Sequence, residues 1–478
     1  MRVSWIGAVI LVLGVGSAGA QGQAIADFEQ AVRQAVTTNP KVVYNWYEFE
    51  ASREAQRVVR GAYYPSVDLD ADIGREDRET PLVDFDDYSR DAVRLRITQL
   101  LFDGFQTRDN VRRAGFEKLS RYYELQRASQ EVALEAVQAY LDTARYQQLV
   151  AFAEDNYVVH RQVYDKIAER TGGGVSQGVD LEQASARVAL AQSNLLTEMT
   201  NLHDVQARFQ RVIGDAPADK LSLPTVPVSM IPELRTSALD LAYRESPEID
   251  AAIETLRAAQ AALNATSAPF MPRLDLRYRN EVEHDTDGLE GRYDLQAIEL
   301  VMSYNLFRGG SDSARKREYY NRYHSAIEQR KQACLNVRQT TMIAFNDIAV
   351  LQQQVAYLER NRLAQDKTRR AYQDQFDLGQ RTLLDLLDSQ NEYFDTQRAY
   401  ANARINLIAA QARTLGSMGL LLSALDMQGI NAGQIEQLNL DLSRGDDEHG
   451  DPLCPPEPPP VVSVDKKALF SSLAGSRP

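Results

Sequence analysis

Leu101-Phe102-Asp103-Gly104 returns as Leu306-Phe307-Arg308-Gly309, 205 residues further along the chain. Three other landmarks recur in the same order. Thr38-Asn39-Pro40 is answered by Glu245-Ser246-Pro247, and Tyr64-Pro65-Ser66-Val67-Asp68-Leu69 by Met271-Pro272-Arg273-Leu274-Asp275-Leu276, with both prolines 207 residues apart. Val179-Asp180-Leu181 returns as Leu384-Asp385-Leu386, again at 205. Self-similarity at one spacing marks a repeated structural unit. The reading is a leader over 1–20, one repeat over 21–220, a second over 221–425, and a tail over 426–478.

Each repeat predicts helix, strand, strand, long helix, turn, long helix. Pro40 and Pro247 suit the first turn of a helix, where a missing N–H costs nothing. Asp103 to Arg170 holds no proline and is rich in helix formers, so an unbroken helix there would run about 100 Å. Leu181, Ala184, Val188, Ala191 and Leu195 follow 3-4 spacing, as do Ile348, Leu351, Val355 and Leu358. That is the seam of an antiparallel coiled coil. In the strands, Val67, Leu69, Ala71 and Ile73 alternate with Asp68, Asp70 and Asp72, while Val93, Leu95 and Ile97 alternate with Arg94, Arg96 and Thr98. Leu274, Leu276 and Tyr278, then Ile298, Leu300, Met302 and Tyr304, repeat the pattern. Period two gives one wet and one apolar face, in a half-buried soluble sheet or a membrane barrel alike. Four strands cannot close a barrel, so a barrel reading requires several copies to pool their strands.

The ends and the composition set the compartment. Arg2, the apolar run Val9–Val15 and Ala18-Gly19-Ala20 form a secretion leader, with the mature chain starting near Gln21. A net charge of -14 weighs against nucleic acid. The only cysteines, Cys334 and Cys454, make no disulfide scaffold, and the sequence leaves open whether they pair. Arg444 to Pro460 turns acidic and then proline-rich, a disordered appendage by composition.

Some patterns imitate chemistry. Gly174-Val175-Ser176-Gln177-Gly178 fits G-x-S-x-G, but that nucleophile elbow needs a strand before it, and helical patterns flank it on both sides. Asp68, Asp70, Asp72 and Glu79 fall at calcium-loop positions, yet Ile73 occupies the position that requires glycine. The five histidines (160, 203, 284, 324, 449) lack metal-ligand spacing, and no phosphate-binding glycine pattern occurs. The expectation is a non-enzyme without metal or cofactor.

Phe376-Asp377-Leu378-Gly379-Gln380-Arg381-Thr382-Leu383-Leu384-Asp385-Leu386-Leu387-Asp388 resembles the periplasmic helix-turn-helix tip of the TolC-like outer-membrane channel proteins of efflux pumps and type I secretion systems. Tyr63-Tyr64-Pro65 and Leu306-Phe307-Arg308-Gly309-Gly310 are similar family marks, and the resemblance covers roughly residues 25 to 425. It implies a mainly α fold with a β-barrel portion: a homotrimer in outer-membrane lipid, four strands per chain closing one barrel above a periplasmic tunnel of coiled coils. It implies a passive exit duct serving a periplasmic adaptor and an inner-membrane transporter. By the same resemblance Arg381 and Asp180 hold the entrance shut, and Asp385 and Asp388 ring its lumen. Phe376 stands where the family often has Tyr, which removes that hydroxyl from the latch. Independently of the family, Asp385 and Asp388 are three apart on one helix face, so a trimer would gather six carboxylates able to attract cations. The rival reading is a soluble periplasmic coiled-coil scaffold or adaptor.

Overall fold

The computed structural model describes residues 24–79, 84–173, 177–286, 290–438, 440 and 454–455. The expected leader lies outside these residues, as does nearly all of the acidic, proline-rich stretch.

The first repeat runs α1 (Phe28–Thr38), α2 (Pro40–Arg60), β1 (Ser66–Glu79), β2 (Asp84–Phe102), α3 (Gln106–Gly172) and α4 (Gly178–Ile213). The second runs α5 (Arg235–Glu245), α6 (Pro247–Ala265), β3 (Arg273–His284), β4 (Arg292–Ser303), α7 (Ser311–Asp377) and α8 (Leu383–Ser417). Two short helices follow, α9 (Leu421–Ala424) and α10 (Ala432–Glu436). Side-chain contacts repeat along with the elements. Arg208 meets Asp142 at 3.3 Å, and Arg413 meets Asp347 at 3.3 Å, 205 residues on at both partners. Lys41 pairs with Glu131, and their counterparts Glu248 and Asn336 are hydrogen-bonded at 3.1 Å.

The residues group into two compact units, each drawing on both repeats. One takes 1–39, 135–225 and 354–406. Its α1 is capped by Asp27, whose carboxylate accepts from the Gln30 N–H at 2.9 Å. Phe28 and Tyr140 meet edge to face at 5.3 Å, and the Tyr140 hydroxyl donates to the Ala26 carbonyl at 2.9 Å. Ala184, Val188 and Ala191 of the predicted seam are buried, with Leu181 and Leu195 half-buried.

The other unit takes 40–134, 226–353 and 407–478. Trp46, Phe49 and Tyr122 stack in sequence at 5.9 Å each between α2 and α3. Gly419 follows α8 with a φ of +74°, and a side chain there would run into the Glu245 carbonyl. Cys334 of α7 is bonded to Cys454, which answers the pairing the sequence left open. One turn on, Arg338 donates to the Pro455 carbonyl and, at 2.8 Å, to the Tyr243 hydroxyl. The bond closes a loop spanning 120 positions.

Candidate functional site

The four strands form one antiparallel sheet in the order β1-β2-β3-β4. Its register sorts the side chains by face. Val67 lies opposite Ile97 and Leu69 opposite Leu95, and Ile97 in turn lies opposite Tyr278 and Tyr278 opposite Ile298. This face is bare to an unusual degree: Ile73 is 86% exposed, Ile298 77% and Leu69 69%. The opposite face is a lattice of ion pairs. Arg94 bridges Asp72 and Glu283, Arg90 bridges Asp72 and Glu76, and Arg279 bridges Glu281 and Glu299. Asp68, Asp70 and Asp72 thus sit in an unbroken strand, with Asp70 and Asp72 ion-paired on the diagonal to Arg96 and Arg94. A sheet with one apolar, exposed face and one charged face suits lipid on one side and water on the other. No described helix is long and apolar enough to cross a membrane.

The second candidate region is the turn between α7 and α8. Gly379, with φ +73°, ends α7: its N–H donates to the Phe376 carbonyl at 3.0 Å, and the Gln380 N–H donates to the Gln375 carbonyl at 2.8 Å. Those two bonds are a Schellman closure, which needs the left-handed residue that glycine supplies. Thr382 and Asp385 then start α8 reciprocally. The Asp385 N–H donates to the Thr382 hydroxyl oxygen at 3.2 Å, and the Asp385 carboxylate accepts from the Thr382 N–H at 3.3 Å. The Thr382 hydroxyl also donates to the Asp385 carboxylate at 2.9 Å, and this bond first, with that from the Thr382 N–H second, holds the Asp385 carboxyl below the usual carboxylate range, with Arg381 adding to the effect.

Phe376 is buried among Val163 and Ile167 of α3, Ala184 of α4, and Leu383, Leu386 and Leu387 of α8. The Arg170 guanidinium lies 5.5 Å from its ring. Arg381 is held three ways: by the Gln375 side-chain carbonyl at 3.0 Å, over the Tyr372 ring at 4.3 Å, and 3.8 Å from Asp385. Asp388 meets Arg187 of α4 at 2.5 Å. Asp180 opens α4, and its N–H donates to the Gln177 carbonyl at 3.1 Å. Of the five expected entrance residues, Phe376 therefore lies at the end of α7, Arg381 in the turn that follows, and Asp180, Asp385 and Asp388 near the starts of α4 and α8, with Asp385 and Asp388 each held by separate partners. Lys166 and Asp377 also pair across α3 and α7, and that hydrogen bond holds the Asp377 carboxyl low. Behind them His160 is 1% exposed, with Nε2 3.1 Å from the Asn391 side-chain oxygen and Nδ1 buried without a partner among the described residues. Burial pushes its pKa down, and the nearby Arg187 charge adds to the shift.

Gly174, Val175 and Ser176 lie outside the described residues, but α3 ends at Gly172 and α4 begins at Gly178, so the flanks of that motif are helical. The Thr382 cap was readable as T-x-x-D. Tyr372 and Arg187 carried no local signal, since Arg187 finds Asp388 only through folding.

The sequence profile of the outer membrane efflux protein matches residues 31–215 and again 238–419. The chain belongs to the outer membrane efflux protein family. The outer membrane efflux protein BepC of Brucella suis is 25% identical over 378 residues, 79% of this chain and 81% of that protein. The outer membrane protein TolC of Escherichia coli is 21% identical over 417 residues, 82% of each. Among solved structures, a membrane protein from Pseudomonas aeruginosa aligns with a TM-score of 0.75 at 18% identity, covering 86% of this chain and 92% of that one. The outer membrane protein VceC of Vibrio cholerae gives 0.71 at 16%, covering 82% and 96%. These likenesses establish the fold. Membership in the outer membrane efflux protein family makes the chain an outer-membrane channel of efflux or secretion with a large periplasmic portion, and it removes the soluble scaffold reading.

Proposed function

We propose that three copies of this chain form a passive exit duct, without catalysis, that opens when a periplasmic adaptor and an inner-membrane transporter engage the turn between α7 and α8. The observation that carries the reading is the sheet: one face is apolar and exposed, and β1 and β4 each have a single strand neighbour among the described residues. Unpaired strand edges are not tolerated in lipid, and closed bacterial barrels begin at about eight strands. Copies must therefore supply one another's edges.

The entrance is assigned to Asp180, Phe376, Arg381, Asp385 and Asp388. Their concentration at two helix-turn-helix ends supports that assignment, as does a turn fixed by both a Schellman closure and a capping box. Such a turn is a rigid element on which a latch can be mounted. No cofactor has a part in the scheme.

Single-channel recording of the purified protein in a planar bilayer tests the reading. Discrete, cation-preferring steps are expected, larger or more frequent in Arg381→Ala. Silence from both proteins would sink the duct. Unchanged ion selectivity after Asp385→Ala and Asp388→Ala would remove the acidic ring while leaving the duct intact.

A further inference from the structure

The two repeats share their elements but not their charges beneath the sheet. Below its hairpin the first repeat carries Arg53, Arg57 and Arg60 on α2, with Arg108 and Lys118 on α3. The repeat offsets put Gln260, Asn264, Ser267, Ser313 and Tyr323 at the same places in the second repeat, and all five are uncharged. The second repeat builds the same helices and hairpin without these cations, so the fold does not require them. Three of the five are answered locally: Arg53 by Glu50 at 2.5 Å, Arg57 by Glu54 at 2.7 Å and Arg108 by Asp109 at 3.0 Å. The glutamates that flank Lys118 on α3, Glu117 and Glu124, go to Arg113 and Arg121. Among the described residues no carboxylate pairs with Arg60 or Lys118, which lie beside each other instead. Lys118 is half-buried, and its ammonium is held below the usual lysine range by burial first, then by the Arg60 and Arg53 charges. Like charges at close quarters carry a cost that a bound anion removes.

These cations sit at the edge of the apolar face. Gln99, on that face of β2 with Leu95 and Ile97, donates to the carbonyl of Tyr63, three residues past Arg60, at 3.1 Å. The Arg108 guanidinium lies 4.4 Å from the Phe105 ring and within electrostatic reach of Tyr63. Tyr63, Tyr64, Leu101 and Phe105 are exposed around them, and Val67 and Leu69 continue the apolar face along β1. Aromatic rings at the border of an apolar belt, with arginine and lysine heads beside them, mark the depth of phospholipid headgroups. The long helices leave the sheet from this edge, so it borders the periplasmic leaflet. We infer that Arg60 and Lys118, with Arg108 beside them, hold the phosphate of an anionic phospholipid of that leaflet, once per chain and on the first repeat alone. Guanidinium and ammonium groups donate to the phosphate oxygens, while the acyl chains run against Val67, Leu69 and Leu101. The site requires the apolar face to lie in lipid, but neither conduction nor the entrance residues.

Native mass spectrometry of the full chain in nonionic detergent, titrated with phosphatidylglycerol, reads the site. One retained lipid per chain is expected, with phosphatidylethanolamine held about tenfold more weakly. Arg60→Ser with Lys118→Tyr changes two first-repeat cations to uncharged residues of the kind the second repeat carries. That variant should keep native helicity and bind phosphatidylglycerol roughly 25-fold more weakly, at about fivefold per cation. Arg60→Ser alone, at the exposed end of α2, should lose about fivefold and serves if the double variant does not fold. Arg315→Gln removes a cation from the second repeat and should leave binding unchanged. Undiminished binding in Arg60→Ser and in the double variant would overturn the site, and so would an equal loss in Arg315→Gln, which would reduce it to bulk charge. Equal retention of both lipids would overturn the selection for an anionic head. Displacement of the lipid by excess inorganic phosphate would overturn the lipid assignment in favour of a free anion.

Discussion

Arg187 on α4 and Asp388 on α8 meet at 2.5 Å, so a carboxylate expected to ring an entrance already faces a cation within its own chain. The side chains are 29% and 49% exposed, which makes the pair worth at most about 1 kcal/mol to stability. Its effect on permeating ions is a separate matter. Asp388→Asn should lower cation preference and Arg187→Gln should raise it, both with little change in thermal unfolding. Reversal potentials across a salt gradient check this, and shifts of the same sign in both variants would contradict it.

Thr382→Ala removes the hydroxyl that accepts from the Asp385 N–H and donates to its carboxylate. A lost N-cap costs about 1 kcal/mol. The variant should unfold at lower temperature, and hydrogen exchange should quicken in the first turn of α8 before it does elsewhere.

Gly419→Ala should be far more damaging. The position has φ +74° and is closed against the Glu245 carbonyl and the Pro247 ring. Left-handed strain alone costs about 1–3 kcal/mol, and the steric overlap adds to it. Yield of folded protein in the outer-membrane fraction is the measurement. Wild-type yield would contradict the packing described around α8 and α5.

The legible and illegible parts divide along physical lines. Alternation in β1 and β2, the turn at Gly379 and the T-x-x-D cap are local consequences of period two, backbone chirality and neighbouring side chains. They could be read from short windows. The repeat made the helix order readable as well, because Pro40 and Pro247 mark the same place twice. Arg187 with Asp388, Arg338 with Pro455 and the Cys334 bond join residues more than a hundred positions apart. No window contains both partners, and only the packing of long helices brings them together.

Below the ordinary histidine value of about 6.5, the unfolded chain binds a proton at His160 that the folded chain refuses. Stability should therefore fall as pH drops from there toward the lowered folded value, by up to about 1.4 kcal/mol per pH unit for one group. Asp377 and Asp385 are also shifted downward, below the usual carboxylate range, and both stay ionised in the folded and the unfolded chain across this window, so their contributions persist through it. Melting curves at pH 7.5 to 5 should slope downward in the wild type and flatten in His160→Gln.

Cys454→Ser opens the loop closed by Cys334, and loops of that length are associated with about 2–5 kcal/mol. The wild type should lose thermal stability on adding a reductant, and the variant should start low and not respond further.

Both cysteines of the chain are committed to that one bond, and none is left free. The native protein therefore presents no reactive thiol, and a single cysteine placed on the turn after α7 would be the sole attachment point for a fluorophore or a spin label. The distance between such probes in neighbouring copies could then be followed while the duct works, without first stripping the protein of background sulfur.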